Sequence, residues 1–276
     1  MEHAAKRTRG EIRVAIVGLG PIGRTVAAAL DHGIDGLSLA AVAIQNPEKH
    51  SGFLAGLKRP PAVVPIDGLS DLADLVIECA PAKLLHSIVA PFVSRGKTAL
   101  VLSASALLAH PELIDVAKLN GGQIIVPTGA LIGLDAVTAA AEGKIHSVRM
   151  VTRKPVKGLI GAPYIVENNI DIESITAPLK VFEGTAREAG KGFPANLNVA
   201  VALSLAGIGP DRTVLEIWAD PALTRNVHQV EVDSDSARFS MMIENIPSEN
   251  PKTGRITALS VISVLRKQGS ALRVGS

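Results

Sequence analysis

Along the first half of the chain the apolar positions switch repeatedly between continuous runs and a helical period. Val14-Ala15-Ile16-Val17 is an unbroken apolar run that meets the turn Gly18-Leu19-Gly20-Pro21-Ile22-Gly23. Beyond the turn, Ile22, Val26 and Leu30 recur four apart, which is one face of a helix. The pattern predicts a strand over 12–17 and a helix over 21–32. A buried strand over 37–44 follows, and Asn46-Pro47-Glu48-Lys49 opens a helix with proline in its first position. Residues 63–65 read as a short edge strand or loop, and 69–73 as a helical turn. Strands are then expected over 74–79, 98–102 and 123–126, with helices over 81–95 and 110–120 between them. Strands that alternate with helices imply a parallel, doubly wound sheet.

Pro127-Thr128-Gly129 breaks this alternation. A helix is predicted over 131–142. Strand-like runs then follow at 145–153, 179–183, 214–219, 226–232 and 238–243, without long helices between them. That succession suggests a mostly antiparallel sheet in a second unit of α+β type, with a helix over 193–205 lying across it. A last helix is expected from Asn250-Pro251-Lys252-Thr253 to about 267, with Asn250 as its N-cap and Pro251 in its first turn. Its apolar residues need a partner surface, which returns it to the first half. The expected fold is therefore α/β, a Rossmann-type parallel sheet followed by an α+β domain. The expected division is 1–127 plus 246–276 for dinucleotide binding, and 128–245 for substrate and catalysis.

Composition narrows the partners. The 276 residues are 47% hydrophobic and 20% charged, which suits a folded chain with a sizeable core. The 28 basic and 26 acidic residues leave a net charge of +2, so there is no electrostatic case for nucleic acid or an anionic membrane. Aromatics at 3% supply few platforms for base stacking. A single cysteine, Cys79, excludes an internal disulfide and suits the cytoplasm. Its place in Leu75-Val76-Ile77-Glu78-Cys79-Ala80 reads as a buried strand residue rather than a nucleophile. Residues 1–11 are polar and basic with no apolar segment behind them, unlike a secretory signal. No apolar stretch is long enough to span a bilayer. HExxH, CxxC and GxSxG are all absent, so neither a metal site nor that hydrolase chemistry is expected.

The glycine turn carries the first chemistry. Gly18 allows the tight turn, Gly20 lets a pyrophosphate approach the backbone, and Gly23 lets the helix pack close to the strand. The helix N-terminus then offers its free N–H groups and a positive dipole end to the phosphates, and Pro21, which itself has no N–H, Ile22 and Arg24 are expected cofactor contacts there; the competing reading is a glycine turn that binds nothing. Ala80, at the end of a later strand, is a further expected cofactor contact. An NAD-specific site usually has an acid about 20 residues past the glycines. Here Gln45 and Asn46 occupy that place, and Arg24 or Lys49 could meet a 2′-phosphate, so NADP is expected to be accepted, alone or alongside NAD. Arg24 could equally be a solvated helix residue. Pro127-Thr128-Gly129-Ala130 lies at a carboxyl-terminal strand edge and faces the cofactor crevice, unless it is an ordinary turn. In Phe193-Pro194-Ala195-Asn196-Leu197-Asn198, one asparagine can cap a helix, which leaves Asn198 free for cofactor or substrate. His228 enters a strand; it is either structural or, with an ordinary pKa near 6.5, an acid–base group.

Taken together, these pieces resemble the L-aspartate dehydrogenase family from about residue 13 to 275. The glycine turn is shared widely. More specific are Pro127-Thr128-Gly129-Ala130 with Gly133-Leu134-Asp135-Ala136, Thr152-Arg153-Lys154-Pro155, the 193–200 segment, Ala219-Asp220-Pro221, Asn226-Val227-His228, and residues 245–253. The resemblance implies that Ala130 and Asn196 contact NAD(P) and that His228 is catalytic. It implies oxidative deamination: hydride leaves the α-carbon, an imine forms, water adds, and ammonia departs to leave oxaloacetate. In that scheme His228 takes a proton from the attacking water, and Arg153, Lys154, Asn198 and the Thr128 hydroxyl are candidates for holding substrate. A homodimer through the second sheet is also implied. Thr128 stands where the family usually has serine, and Val156 where it often has a second proline; both departures bear on the substrate rather than the fold. The alternatives are an imine reductase or dehydrogenase of another small amino or keto acid, and a non-catalytic cofactor sensor.

Overall fold

The computed structural model describes residues 10–193, 197–247 and 254–275. The first half runs β1 (Ile12–Val17), α1 (Pro21–His32), β2 (Leu37–Ala43), α2 (Pro47–Ala55), β3 (Ala62–Val63), α3 (Leu69–Leu72), β4 (Leu75–Glu78), α4 (Leu85–Val93), β5 (Thr98–Val101), α5 (Ala104–Leu107), α6 (Glu112–Asn120) and β6 (Gln123–Ile125). Its six strands are all parallel, in the order β3-β2-β1-β4-β5-β6. That order reverses between β1 and β4, which opens a crevice at the carboxyl ends of the strands. Burial on both faces explains the unbroken apolar run of β1. Val14 and Ile16 pack on one face with Val26 and Leu30. Ala15 and Val17 pack on the other with Val89 and Phe92. The helix expected over 81–95 divides into a 3₁₀ turn, Ala82–Leu84, and α4.

The second half runs α7 (Leu134–Ala141), β7 (Ile145–Lys154), α8 (Pro163–Glu167), β8 (Leu179–Thr185), α9 (Ala186–Gly192), α10 (Asn198–Ala206), β9 (Thr213–Ala219), β10 (Asn226–Ser234), β11 (Arg238–Asn245) and α11 (Ile256–Gly269). The sheet order is β11-β10-β7-β9-β8, and only β7 and β9 pair parallel. Its inner face carries Val148, Met150, Leu215, Ile217, Val230 and Val232, packed with Val137, Phe193 and Leu203.

Several helix boundaries differ from the sequence pattern. Gly133 takes a left-handed conformation as the N-cap of α7, so that helix begins three residues later than expected. Helix α9 has no apolar signature, yet Thr185 and Glu188 close a reciprocal capping box at its start. The helix expected from 193 begins at Asn198, and Pro194, Ala195 and Asn196 lie outside the described residues. The last helix begins at Ile256, because Gly254 is held in an antiparallel bridge with Pro247. The expected cap at Asn250 and Pro251 also lies outside the described residues. As expected, α11 returns to the first sheet: Val261 and Leu265 pack with Val26 and Leu30 of α1. No helix of the described residues is long and apolar enough to cross a membrane.

Candidate active site

The glycine turn is built for close approach. Gly18 has φ +91°, and a Cβ there would stand 2.5 Å from the Cys79 carbonyl oxygen. A Cβ on Gly23 would stand 2.0 Å from the carbonyl oxygen of Gly18. Gly20, by contrast, has nothing within 4 Å of its Cβ position. It is the N-cap of α1, with Pro21 following; the first turn has no acidic residue and no side-chain cap. The helix N-terminus thus has no side-chain cap and has open space at Gly20, which fits a pyrophosphate.

Around this cradle the expected cofactor residues divide. Ile22 lines the cavity described below. Gln45 is exposed at the end of β2, and Asn46 accepts from the Lys49 amide at 3.2 Å as the N-cap of α2. Arg24 donates to the Leu19 carbonyl (3.2 Å), contacts His50 Nδ1 (3.0 Å) and lies over the Phe53 ring. Burial, and then the charges of Arg24 and Lys49, hold the His50 pKa below its ordinary value. The Ala80 amide donates to Glu78 Oε1 at 3.3 Å.

Glu78 escaped the sequence reading, although it is the one charge in the apolar run of β4. It is 1% exposed and accepts from the Ser103 amide (2.8 Å), the Ser103 hydroxyl (3.0 Å) and the Leu102 amide (3.1 Å). Burial raises its pKa, and these hydrogen bonds oppose the rise. The carboxyl group thus ties the ends of β4 and β5 at the crevice. Neighbouring Cys79 is half-buried, and burial, and then the Glu78 charge, pushes its thiol pKa up, which disfavours the nucleophilic thiolate.

Where the two sheets meet, a cavity of about 110 Å³ is lined by Ile22, Thr128, Ala130, Lys154, Asn198 and His228, among others. At the ~10–15 Å³ a single water needs by such a measure, this holds several waters or one small metabolite. The chain reaches it from both halves. The 127–130 turn is held by the Gly129 amide donating to Ser260 Oγ of α11 (3.1 Å) and by Asn245 Nδ2 donating to the Ala130 carbonyl (2.9 Å). Asn198 Oδ1 accepts from the Ser105 amide at 3.1 Å, so this side chain joins α10 to α5 of the first half.

His228 and Lys154 are each 3% exposed. They come from adjacent strands, where His228 faces Thr152 across the β10–β7 ladder. His228 Nδ1 lies 2.7 Å from Thr152 Oγ1, and Thr152 is fully buried. Burial, and then the Lys154 charge, lowers the His228 pKa to about 3. Burial lowers Lys154 to about 8. Against the ordinary histidine value near 6.5, burial thus keeps the imidazole neutral at pH 7 and brings Lys154 nearer to neutrality than a free lysine.

Arg153 is not brought to the cavity. Successive strand residues face opposite sides, and along β7 it is Val148, Met150, Thr152 and Lys154 that turn inward. Arg153 therefore lies on the outer face, 5.2 Å over the Trp218 ring and 4.0 Å from Asp220.

Comparison with known proteins agrees with this geometry. Residues 135–268 match the family profile described as aspartate dehydrogenase, C-terminal, and residues 18–127 that of the homoserine dehydrogenase NAD binding domain. The chain is 68% identical over 266 residues to an L-aspartate dehydrogenase of Bradyrhizobium diazoefficiens, covering 96% of this chain and 95% of the relative. It is 56% identical to L-aspartate dehydrogenase 3 of Bordetella bronchiseptica, covering 98% and 99%. The crystal structure of an aspartate dehydrogenase from Thermotoga maritima superimposes with a TM-score of 0.74 at 26% identity, covering 96% and 99%.

Proposed function

The chain belongs to the aspartate dehydrogenase family and is an NAD(P)-dependent oxidoreductase, and from that premise we propose that it oxidatively deaminates L-aspartate to oxaloacetate and ammonia, reversibly. One observation carries this reading. One cavity the size of a small metabolite is lined both by Ile22 and Thr128 to Ala130, which this reading assigns to the cofactor side, and by the buried polar pair Lys154 and His228. When bound, the nicotinamide supplies the acceptor for the hydride from the substrate α-carbon.

The residues of this chain do the rest. The amides after Gly20 hold the pyrophosphate, and Ile22 and Ala130 flank the nicotinamide end. Asn196 is assigned to the cofactor by the family resemblance alone. The Thr128 hydroxyl, Asn198 and Lys154 are the polar groups that meet the substrate, and His228 is the catalytic imidazole. The close fit excludes bulk water while holding the α-carbon to roughly 3–3.5 Å from its hydride acceptor. Gln45 and Asn46 stand after β2 where an NAD-specific site usually has an acid, and Arg24 of α1, held by the Leu19 carbonyl and His50, is a cation available to a 2′-phosphate. Both NAD and NADP are therefore accepted, and comparison of their KM values tests this; strict dependence on NAD would overturn it.

The division into 1–127 plus 246–276 and 128–245, a cytoplasmic location, and a homodimer through the outer face of the second sheet complete the proposal. That face exposes Val214 and Met242 and carries the Arg153–Trp218 stack. The central experiment follows NAD(P)H absorbance with oxaloacetate plus ammonia against a panel of other keto acids. Turnover is expected to be fastest with oxaloacetate. A faster reaction with another keto acid would reassign the substrate. Cofactor binding with no turnover on any of them would point to a sensor.

A further inference from the structure

Which nitrogen of His228 carries the proton decides what the residue can do. The only hydrogen-bond partner of Thr152 Oγ1 among the described residues is His228 Nδ1, at 2.7 Å. Thr152 is 0% exposed, so no solvent water reaches its hydroxyl. Its backbone groups are engaged in the ladders to His228 on one side and Ile217 on the other. Among the described residues the hydroxyl proton therefore has one acceptor, the lone pair of Nδ1. The opposite arrangement, with Nδ1–H donating to Oγ1, would leave a buried O–H without an acceptor, which folded proteins rarely tolerate. With Nδ1 accepting, the ring proton sits on Nε2, where the cavity can use it.

We propose that Thr152 is a positioning residue that fixes the Nε2–H tautomer of His228, that His228 serves the site as a neutral hydrogen-bond donor, and that Lys154 carries the protons of the hydration step. Lys154 follows Thr152 by two positions on the same inward face of β7 and lines the same cavity. Among the described residues no carboxylate lines that cavity. Asp220, at the end of β9, accepts from the Ala222 amide and lies 4.0 Å from Arg153. The buried imidazole and ammonium thus share one cavity. Burial, and then the Lys154 charge, keeps His228 neutral down to about pH 3, and burial brings the Lys154 pKa to about 8.

The step balances as follows. Water oxygen bonds to the α-carbon of the iminium, the C=N pair moves to nitrogen, and the water proton passes to neutral Lys154 Nζ. Nζ returns that proton to the nitrogen. The C–N bond breaks with its pair leaving on ammonia, and the hydroxyl proton goes to Nζ as the carbonyl forms. Throughout, the Nε2–H of His228 donates to the oxygen as it gains charge.

The hydration step rests on the deamination reading, whereas the tautomer does not. The first test is the imidazole ¹⁵N spectrum of histidine-labelled protein without substrate, with the His228 signal assigned by its loss in H228Q. Nδ1 is expected to be unprotonated from pH 5 to 8 and to lose that preference in T152V but not in T152S; a protonated Nδ1 in the wild type would overturn the tautomer. The second test is the pH profile of kcat/KM, with NADH binding followed by fluorescence as a control for folding. In deamination the wild type is expected to gain rate up to a plateau above about pH 8. H228Q keeps this limb and exceeds H228A, which loses on the order of 10²–10³ in kcat. K154Q loses the limb and on the order of 10²–10⁴ in rate while still binding NADH. A limb that disappears in H228Q and persists in K154Q would return the proton transfer to His228. An unprotonated Nδ1 in a protein that turns over no aspartate would sink the substrate assignment and leave the tautomer intact.

Discussion

Two adjacent residues, Arg153 and Lys154, show how one position along a strand separates surface from site. Both are cations in one motif, yet the alternation of β7 sends Arg153 to Trp218 on the outer face and Lys154 into the cavity. Alternation by itself says that they diverge; which one turns inward depends on what packs against the sheet. His228 shows the energetic side of such burial. Its folded pKa is about 3, against about 6.5 for an ordinary histidine. Between these values the unfolded chain binds a proton that the folded chain refuses, so stability is complete above about pH 6.5 and falls as the pH drops toward 3. Glu78, pushed upward by burial, acts in the opposite sense, because its folded form keeps a proton longer than the unfolded one. The His228 contribution is isolated by His228→Asn, which should lose less stability between pH 7 and pH 4.5 than the wild type when urea midpoints are compared. Parallel losses in the two proteins would show that His228 already binds its proton in the folded state.

At the scale of elements, the turn between β1 and α1 is the most legible part of the chain, because its requirements are local. Each glycine has its own reason, and the three substitutions should behave differently. Gly23→Ala places a Cβ 2.0 Å from a backbone oxygen. Such overpacking costs about 1–3 kcal/mol, so thermal unfolding should shift down by several degrees, with NADH affinity reduced as well. Gly20→Ala meets nothing within 4 Å, so it should leave the unfolding temperature within a degree or two while weakening NADH binding, because only the ligand needs that space. Equal thermal shifts in the two variants would contradict this division of roles. Helix starts were less legible. Helix α10 opens at Asn198, whose side chain bonds the Ser105 amide in the other half, and α11 opens beyond the Pro247–Gly254 bridge. Helix α9 went unread because Gly190 and Gly192 dilute its pattern, although Thr185 and Glu188 stand at capping-box spacing.

At the scale of the whole molecule, the two sheets contribute different halves of one cavity, and a few polar ties set their spacing. Asn198 to Ser105 and Gly129 to Ser260 cross between segments 93 and 131 residues apart. A tie of this kind contributes about 1 kcal/mol, so Asn198→Ala should cost roughly fivefold in kcat/KM for the amino acid and much less in NADH affinity, since Gly18, Gly20 and Gly23 do not line the cavity that Asn198 lines. Titration of NADH by fluorescence beside steady-state kinetics checks this; a larger loss in NADH affinity than in kcat/KM would place Asn198 on the cofactor instead. Taken by itself, the sequence determined the parallel sheet, the glycine cradle, the missing acid after β2 and the candidate histidine. Each of these depends on residue type and on neighbours within a few positions, where strand and helix periods and turn chemistry operate. Only the tertiary structure decided that Lys154 rather than Arg153 enters the cavity, that Glu78 ties β4 to β5, and that the Thr152 hydroxyl meets Nδ1 of His228. Those outcomes rest on pairings such as Thr152 with His228, 76 residues apart, and on the burial that removes water from both, and no local period encodes either.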